Sequence, residues 1–465
     1  MLFNSLQFLV FFLVVTLLFF RLKNQKSRIW LLLLSSCYFY MSFVYQYILI
    51  LAFTIIIDYI AGILIENTKG HTRKIWLVAS IVANVGILAF YKYFNFLIEN
   101  LNATLQLFDT GKELPYMNII LPVGLSFHTF QAMSYTIEVY WNKQKAERHF
   151  PTYALYVMFY PQLVAGPIER PQNVLPQLHE YRPYNLSNVQ EGISRMLWGY
   201  FKKVVIADRL AILVDQVYAN DEQMSSMSLV LGAVFYSFQI YCDFSGYSDI
   251  GIGAAKVMNI RLMDNFKQPY LSGNIATFWS RWHISLSTWF RDYLYIPLGG
   301  NRKGEGRRKF NVFVVFLLSG LWHGANWTFG IWGFLHGVLV VIFPGLKKIP
   351  EKQFARSARS VVSVLATFTA VTVLWIFFRA ENIQHAFAYI KGICSFRGGS
   401  FDVGLTVTEI LFSFLLIVIM LWREYKFPDY KVKPGVKYVT YVAGMILVLY
   451  FFGVFSENQF IYFQF

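Results

Sequence analysis

The chain has 465 residues, of which 56% are hydrophobic and 14% are charged, and its formal net charge is +15. Soluble domains average roughly 45–50% apolar and about 25% charged residues, so this composition excludes an ordinary soluble globular protein. Apolar runs of membrane-spanning length recur along the whole chain, and no polar stretch is long enough for a separate soluble domain. We therefore expect a polytopic helical membrane protein that forms one domain over residues 1–465.

The apolar segments of the chain are candidate membrane helices. In chain order they are Leu2–Phe20, Ile29–Val44, Tyr47–Ile65, Ile75–Phe96, Ile119–Val139, Tyr153–Val164, Val189–Val217, Ser228–Ile250, Phe310–Leu321, Ile331–Phe343, Val361–Phe378, Val407–Leu421 and Tyr438–Val454. Several are shorter than the roughly 20 residues that cross a bilayer, so some are expected to be tilted, broken or re-entrant. The predicted fold class is all-α, with about eleven transmembrane helices and several short ones.

The excess of basic residues lies in short connections between these segments. Lysines and arginines cluster at 21–28, 73–74, 302–309, 347–359 and 423–437, which is the pattern of cytoplasmic loops under the positive-inside rule. Attraction to anionic lipid headgroups accounts for the charge, so membrane lipids are expected partners and nucleic acid is not. This orientation places both chain termini outside the cytoplasm.

One histidine lies at the turn of a predicted membrane excursion. The basic loops 302–309 and 347–359 are both assigned to the cytoplasm, so the chain between them must enter the membrane and return at Gly320–Asn326. His323 lies in this turn, between tryptophans and helix-breaking glycines. Hydrocarbon cannot solvate an ionisable ring, so an intramembrane histidine is a candidate functional residue.

A second histidine, His283, lies in the tryptophan-rich stretch Phe278–Ser285. From the sequence alone, either histidine could equally serve only in packing. If the two meet in space, one could act as a general base while the other orients it or stabilises an oxyanion. An imidazole titrates near neutral pH and suits proton transfer from a hydroxyl.

Two carboxylates, Asp243 and Asp249, lie in an apolar segment. They could relay protons in a transporter, or they could form ion pairs with Arg281 or Arg291 that tie helices together; the second interpretation is favoured for at least one of them. The glycine-rich basic loop 299–308 either receives a phosphate-bearing donor or only sets topology. The three cysteines lack metal-like spacing, so no metal site is expected.

The last six residues, Phe460–Phe465, contain three phenylalanines and Tyr462. A solvent-facing terminus rarely needs so many aromatic rings. The segment either anchors the chain end in the membrane interface or inserts into a groove of the protein and presents the Tyr462 phenol.

Four blocks of the sequence resemble the membrane-bound O-acyltransferase family, in particular its bacterial branch related to the alginate O-acetylation membrane protein. The blocks are Phe159–Arg170, Gln239–Tyr270, Phe278–Asn301 and Gly320–Trp327. The resemblance covers nearly the whole chain, with a signature core at about 121–345 and a tail at 456–465. It is most specific around the two histidines.

The resemblance implies roles for individual residues. His323 matches the family's invariant histidine and would be the catalytic base, and His283 matches its second signature position. Both would line a central tunnel between a cytoplasmic donor entrance and an outward-facing acceptor opening. Six other residues would support the substrate or the tunnel: Asp243, Arg281, Trp282, Arg291, Trp322 and Asn326.

The tail pattern Phe460-x-Tyr462-x-x-Phe465 resembles a C-terminal motif whose tyrosine carries an acyl group to an extracytoplasmic partner. The function implied is acetyl transfer from acetyl-CoA, a substrate and not a bound cofactor, to a cell-envelope polysaccharide at the bacterial plasma membrane. Within the family, transfer of D-alanyl from a carrier protein to a teichoic acid-type polymer is the alternative. A proton-coupled transporter or a scaffold for polymer export is the alternative from another class.

Overall fold

The computed structural model describes residues 1–109, 111–164, 166–343, 358–432, 434–455 and 460–461. These ranges are predominantly helical, and the only β pairing within them is an isolated bridge between Met224 and Ser400. The all-α prediction is confirmed. The chain divides into two compact units, residues 1–189 with 254–263 and residues 190–253 with 264–465.

The first unit contains nine α-helices among its described residues. They are α1 Leu6–Arg21, α2 Gln25–Met41, α3 Ile48–Asn67, α4 Gly70–Leu88, α5 Phe94–Leu107, α6 Leu125–Tyr140, α7 Phe150–Met158, α8 Tyr160–Leu163 and α9 Pro171–His179. Helices α3, α4 and α6 pack together around a buried polar cluster. Asp58 of α3 accepts hydrogen bonds from Ser80 (2.6 Å) and Asn84 (2.8 Å) of α4, which satisfy a carboxyl group that is fully buried.

The second unit holds the remaining α-helices of the described residues, two of which begin or end in the first. They are α10 Leu186–Tyr200, α11 Asp208–Ala219, α12 Ser226–Val257, α13 Ile275–Arg281, α14 Ile284–Phe290, α15 Gly304–His323, α16 Trp327–Ile342, and further helices at Ala358–Arg379, Ile383–Cys394, Val407–Lys426 and Val436–Phe452. A π-helix, Phe201–Ala207, joins α10 to α11, and a second, Arg291–Tyr295, follows α14.

Within the described ranges, four helices are long and apolar enough to cross a membrane: Tyr45–Asn67, Gly70–Leu107, Ser226–Val257 and Ser360–Arg379. Leu6–Arg21, Trp327–Ile342 and Val436–Phe452 are shorter apolar helices. The protein is therefore a polytopic helical membrane protein, as its composition predicts. The number of about eleven spans stays a prediction, as does the orientation, and most of the basic loop 347–359 lies outside the described residues.

Helices α15 and α16 form a closely packed antiparallel hairpin. A Cβ atom on Gly320 would lie 2.2 Å from the carbonyl oxygen of Phe329, and one on Gly333 would lie 2.3 Å from that of Phe316. Small residues at such an interface let two backbones approach. The expectation that Gly320 breaks the helix is therefore wrong: α15 continues to His323, and the turn begins at Gly324.

Candidate active site

His283 links α13 to α14 and adopts a left-handed backbone conformation, with φ of 43°. Asn265 holds it in this position. The Asn265 carbonyl accepts the Ile284 amide at 2.9 Å, and its side-chain Oδ1 accepts the Ser285 amide at 3.3 Å and the Ser285 hydroxyl at 2.9 Å. These bonds offset the cost of an αL conformation at a residue with a bulky side chain.

The same Oδ1 atom of Asn265 lies 3.1 Å from Nδ1 of His283. A backbone amide can only donate, so the Ser285 contact identifies this Asn265 atom as oxygen, and the Asn265 Nδ2 group correspondingly donates to Ser248 at 3.1 Å. Nδ1 of His283 must therefore carry the proton, which leaves the ring lone pair on Nε2. Asn265 thus fixes both the orientation and the tautomer of His283.

His323 is the last residue of α15 and is buried among aromatic rings. The ring centres of Trp322, Trp332 and Phe378 lie 5.0, 5.2 and 5.3 Å from the imidazole centre. Trp332 stands perpendicular to the imidazole, at 90°. Rings on several sides exclude bulk water from this histidine, which strengthens electrostatic interactions with a bound substrate.

The structure brings the two histidines together, although they are forty positions apart in the sequence (283 to 323). Their ring centres are 6.5 Å apart, and the planes are inclined at 54°. Trp322 contacts both, with centroid distances of 6.2 Å to His283 and 5.0 Å to His323. The imidazoles are therefore close enough for a single reacting group to contact both.

Two other residues predicted for the site shape its surroundings. Trp282 is 1% exposed, and its ring packs against Phe266 at 5.1 Å and Trp375 at 5.0 Å, next to His283 in the chain. Asn326 caps α16 by accepting the Thr328 amide at 3.0 Å and donates to the carbonyl of Glu381 at 2.8 Å. It fixes the turn that follows His323.

Within the described residues, the structure does not pair Asp243 and Asp249 with the arginines that were predicted as their partners. Arg291 is exposed and forms an ion pair with its neighbour Asp292 at 2.8 Å, not with Asp243 or Asp249, and its supporting role at the site stays a prediction. Arg281 is half-buried at the end of α13, and its carbonyl accepts the Lys267 amide at 2.9 Å. The described cationic partner of Asp243 is Lys203, at 2.6 Å.

Asp249 belongs to a buried ionic network that sequence reasoning missed. Arg195 and Lys202 contact its carboxylate at 2.7 and 2.6 Å, and Lys202 also lies 3.9 Å from Glu424. Tyr241 donates to Glu424 at 2.8 Å. The network joins α10, the π-helix, α12 and the helix Val407–Lys426, which confirms the helix-tying interpretation. The sequence feature that could have indicated this network is a pair of consecutive lysines, Lys202 and Lys203, in an apolar run.

The C-terminal segment (residues 454–465) is described at residues 454–455 and 460–461, and Phe460 lies in the surroundings of His283. Phe460 is fully buried, stacks on Tyr247 at 4.5 Å and lies 5.7 Å from Phe244, whose ring contacts His283 at 4.7 Å. One aromatic ring thus separates Phe460 from the histidine. Tyr462 lies outside the described residues.

Comparisons with known proteins place these residues in a family context. The sequence model described as the membrane-bound O-acyltransferase family matches residues 142–383, which include both histidines. A protein named "Probable alginate O-acetylase AlgI" from Pseudomonas aeruginosa is 37% identical over 91% of this chain and 82% of its own length. The peptidoglycan O-acetyltransferase of Helicobacter pylori is 35% identical over 86% and 81%. The teichoic acid D-alanyltransferase of Bacillus subtilis is 26% identical over 58% and 72%.

Proposed function

Because the chain belongs to the membrane-bound O-acyltransferase family and is therefore a membrane O-acyltransferase, we propose that it transfers acetyl groups from acetyl-CoA to hydroxyls of a cell-envelope polysaccharide. The observation that carries the proposal is the pair of imidazoles 6.5 Å apart in an aromatic enclosure. The names of two relatives, an alginate O-acetylase and a peptidoglycan O-acetyltransferase, support the acceptor class and the acetyl group.

In the proposed reaction, His323 removes the proton from the acceptor hydroxyl. The oxygen attacks the thioester carbonyl carbon, a new C–O bond forms, and the C–S bond breaks. The imidazolium of His323 then returns the proton to the departing coenzyme A sulfur. A positioned base contributes about 10²- to 10⁴-fold to such a rate, and the surrounding rings of Trp322, Trp332 and Phe378 limit competing hydrolysis.

For His283 we propose a positioning role. Its Nδ1 proton is committed to Asn265, so Nε2 can accept a hydrogen bond but cannot donate one in the neutral ring. A nitrogen of this kind orients a hydroxyl; polarising a carbonyl would require a proton on Nε2. The geometry therefore favours His283 as the residue that aligns the nucleophile for His323.

The proposed route crosses the membrane. Coenzyme A is large and charged and stays on the cytoplasmic side, where the basic loop 299–308 would receive its phosphates. The acetyl group is small and neutral and passes inward to the histidines. The location proposed is the bacterial plasma membrane, with both termini outside the cytoplasm, as the distribution of basic loops indicates.

Tyr462 is the proposed first acceptor and acyl relay. A phenol is a weak nucleophile until a neighbouring base removes its proton. The support for this role is that Phe460, two residues earlier, is buried one ring away from His283. The acyl tyrosine would pass its group to an extracytoplasmic acyltransferase or directly to the polysaccharide.

Transfer of D-alanyl to a teichoic acid-type polymer is the second candidate, since a teichoic acid D-alanyltransferase is among the relatives. Purified protein in lipid vesicles, supplied with radiolabelled acetyl-CoA or with a D-alanylated carrier protein, distinguishes the donors. We expect ester-linked label from acetyl-CoA alone. Ester-linked label from the D-alanylated carrier protein alone would favour D-alanyl transfer over acetyl transfer. Movement of a substrate across the vesicle membrane without either donor would indicate a transporter.

A further inference from the structure

The described residues of the C-terminal segment are attached to the rest of the second unit through main-chain hydrogen bonds at two points. The Val454 amide donates to the carbonyl of Val204 at 2.7 Å, and the Ile461 amide donates to Oδ2 of Asp243 at 2.8 Å. Between these points the ring of Phe460 stacks on Tyr247. The described end of the chain is thus held by its backbone and by one aromatic side chain.

The π-helix Phe201–Ala207 creates the first attachment point. In an α-helix the amide of Asp208 would bond to the carbonyl of Val204, four residues earlier. Here the Asp208 amide bonds instead to the carbonyl of Lys203, five residues earlier. The Val204 carbonyl therefore lacks the Asp208 donor of an α-helix, and it accepts the Val454 amide. Insertions of this kind are frequent at functional sites.

The second attachment point has an uneven balance of charge. The ammonium of Lys203 lies 2.6 Å from Asp243 and 2.8 Å from Asp208, and all three side chains are buried. One positive charge between two carboxylates leaves negative charge in excess among these three groups. A buried carboxylate is stable only when it is hydrogen-bonded, and the Ile461 amide supplies such a bond to Asp243.

We propose that Asp243, Lys203 and the carbonyl of Val204 form a docking site, the tail site, for the protein's own C-terminal segment. The tail site recognises the main-chain N–H groups of residues 454 and 461, and the neighbouring Tyr247 stacks on the aromatic ring of residue 460. It retains the segment beside His283 when no substrate is bound. The docking does not require that Tyr462 carry an acyl group; only its consequence, that retention delivers Tyr462 to the histidines, rests on the proposed function.

Hydrogen exchange of the full-length resting protein in detergent, followed by mass spectrometry of overlapping C-terminal peptides, measures this docking without any acyl donor. In Asp243→Asn, whose neutral side-chain oxygen accepts a weaker bond than the carboxylate does, the Ile461 amide should exchange about tenfold faster than in the wild type. Asp292→Asn is the matched control, because Asp292 pairs with the exposed Arg291, and it should leave this rate unchanged. An unchanged rate in Asp243→Asn would overturn the proposal.

A second pair of variants leaves Asp243 intact and therefore holds even if Asp243→Asn fails to fold. Ile461→Pro removes the donated N–H, whereas Ile461→Val retains it with a similar β-branched side chain. We expect faster exchange of the Val454 amide in Ile461→Pro only. Equal protection of Val454 in both variants would show that residue 461 does not hold the segment. Because no acyl donor is used, this failure is distinguishable from failure of acetyl transfer.

Discussion

Oδ1 of Asn265 lies 3.1 Å from Nδ1 of His283 and also accepts the amide of Ser285. This oxygen therefore stabilises the backbone conformation of His283. It also determines which ring nitrogen of His283 carries the lone pair. In the proposed mechanism His323 is the base and His283 positions the nucleophile, and the geometry of His283 depends on a residue in a different loop. Substitutions at Asn265 test that dependence.

Asn265→Asp should alter the pH dependence of transfer more than its maximal rate. An aspartate oxygen still accepts the Ser285 amide, but its negative charge stabilises the protonated imidazole of His283. The acid limb of the pH–rate profile should therefore move to higher pH.

Asn265→Ala should lower kcat by about 10²-fold, as expected of a lost positioning contact, with KM for acetyl-CoA unchanged. Initial rates from pH 5 to 9 measure both effects, and identical profiles in wild type and Asn265→Asp would contradict the positioning role.

Tyr462→Phe should abolish transfer to the extracytoplasmic acceptor, because it removes only the hydroxyl that carries the acyl group. Mass spectrometry of the C-terminal peptide should detect an acetyl ester on Tyr462 in the wild type supplied with acetyl-CoA. Tyr450→Phe is the control, since Tyr450 is exposed on the helix Val436–Phe452. Normal polymer acetylation by Tyr462→Phe would exclude the relay while leaving direct transfer possible.

Gly320→Ala should destabilise the α15–α16 hairpin and displace His323. The added Cβ would meet the backbone oxygen of Phe329 at 2.2 Å, and overpacking of this kind costs about 1–3 kcal/mol. Gly330→Ala in the same hairpin is the matched control, because its Cβ would find only ordinary contacts at 3.7 Å. Thermal unfolding in detergent compares them, and an equal melting temperature for the two variants would contradict the close-packing account.

Lys202→Met should lower the free energy of unfolding by about 3 kcal/mol, because it leaves Asp249 and Glu424 in a buried network without one of their cations. Arg308→Met, which removes an exposed ion pair with Glu305, should have no measurable effect. Denaturant titration of the two purified variants tests the contrast. Comparable decreases in the free energy of unfolding for the two variants would mean that burial does not determine the strength of these ion pairs.

The fold class could be predicted from the sequence because apolar content and basic loops follow directly from the bilayer. The two histidines could be recognised because an ionisable ring is costly in an apolar run. Ion pairing of at least one of Asp243 and Asp249 was likewise expected, although the partners were not. Lys203, the partner of Asp243, lies in a π-helix, and no feature of the sequence indicates that π-helix.

Other features depend on contacts between segments that are distant in the chain. Asn265 precedes His283 by eighteen residues (265 to 283) in an irregular loop, so no periodicity links the two. Gly320 was misassigned because its close partner, the carbonyl of Phe329, is on the opposite helix of the hairpin. The ion-pair partner of Arg291 could not be predicted, because a basic residue within a signature block equally pairs with its own neighbour, here Asp292.

The most direct test of the account is the O-acetyl content of envelope polysaccharide from cells that lack the gene and are complemented with wild type, His323→Ala or His71→Ala. His71 is exposed at the start of α4 and is the matched histidine control. At equal membrane abundance, we predict full acetylation with the wild type and His71→Ala and a loss of at least about 10²-fold with His323→Ala. Wild-type acetylation by His323→Ala would contradict the assignment of His323 as the catalytic base.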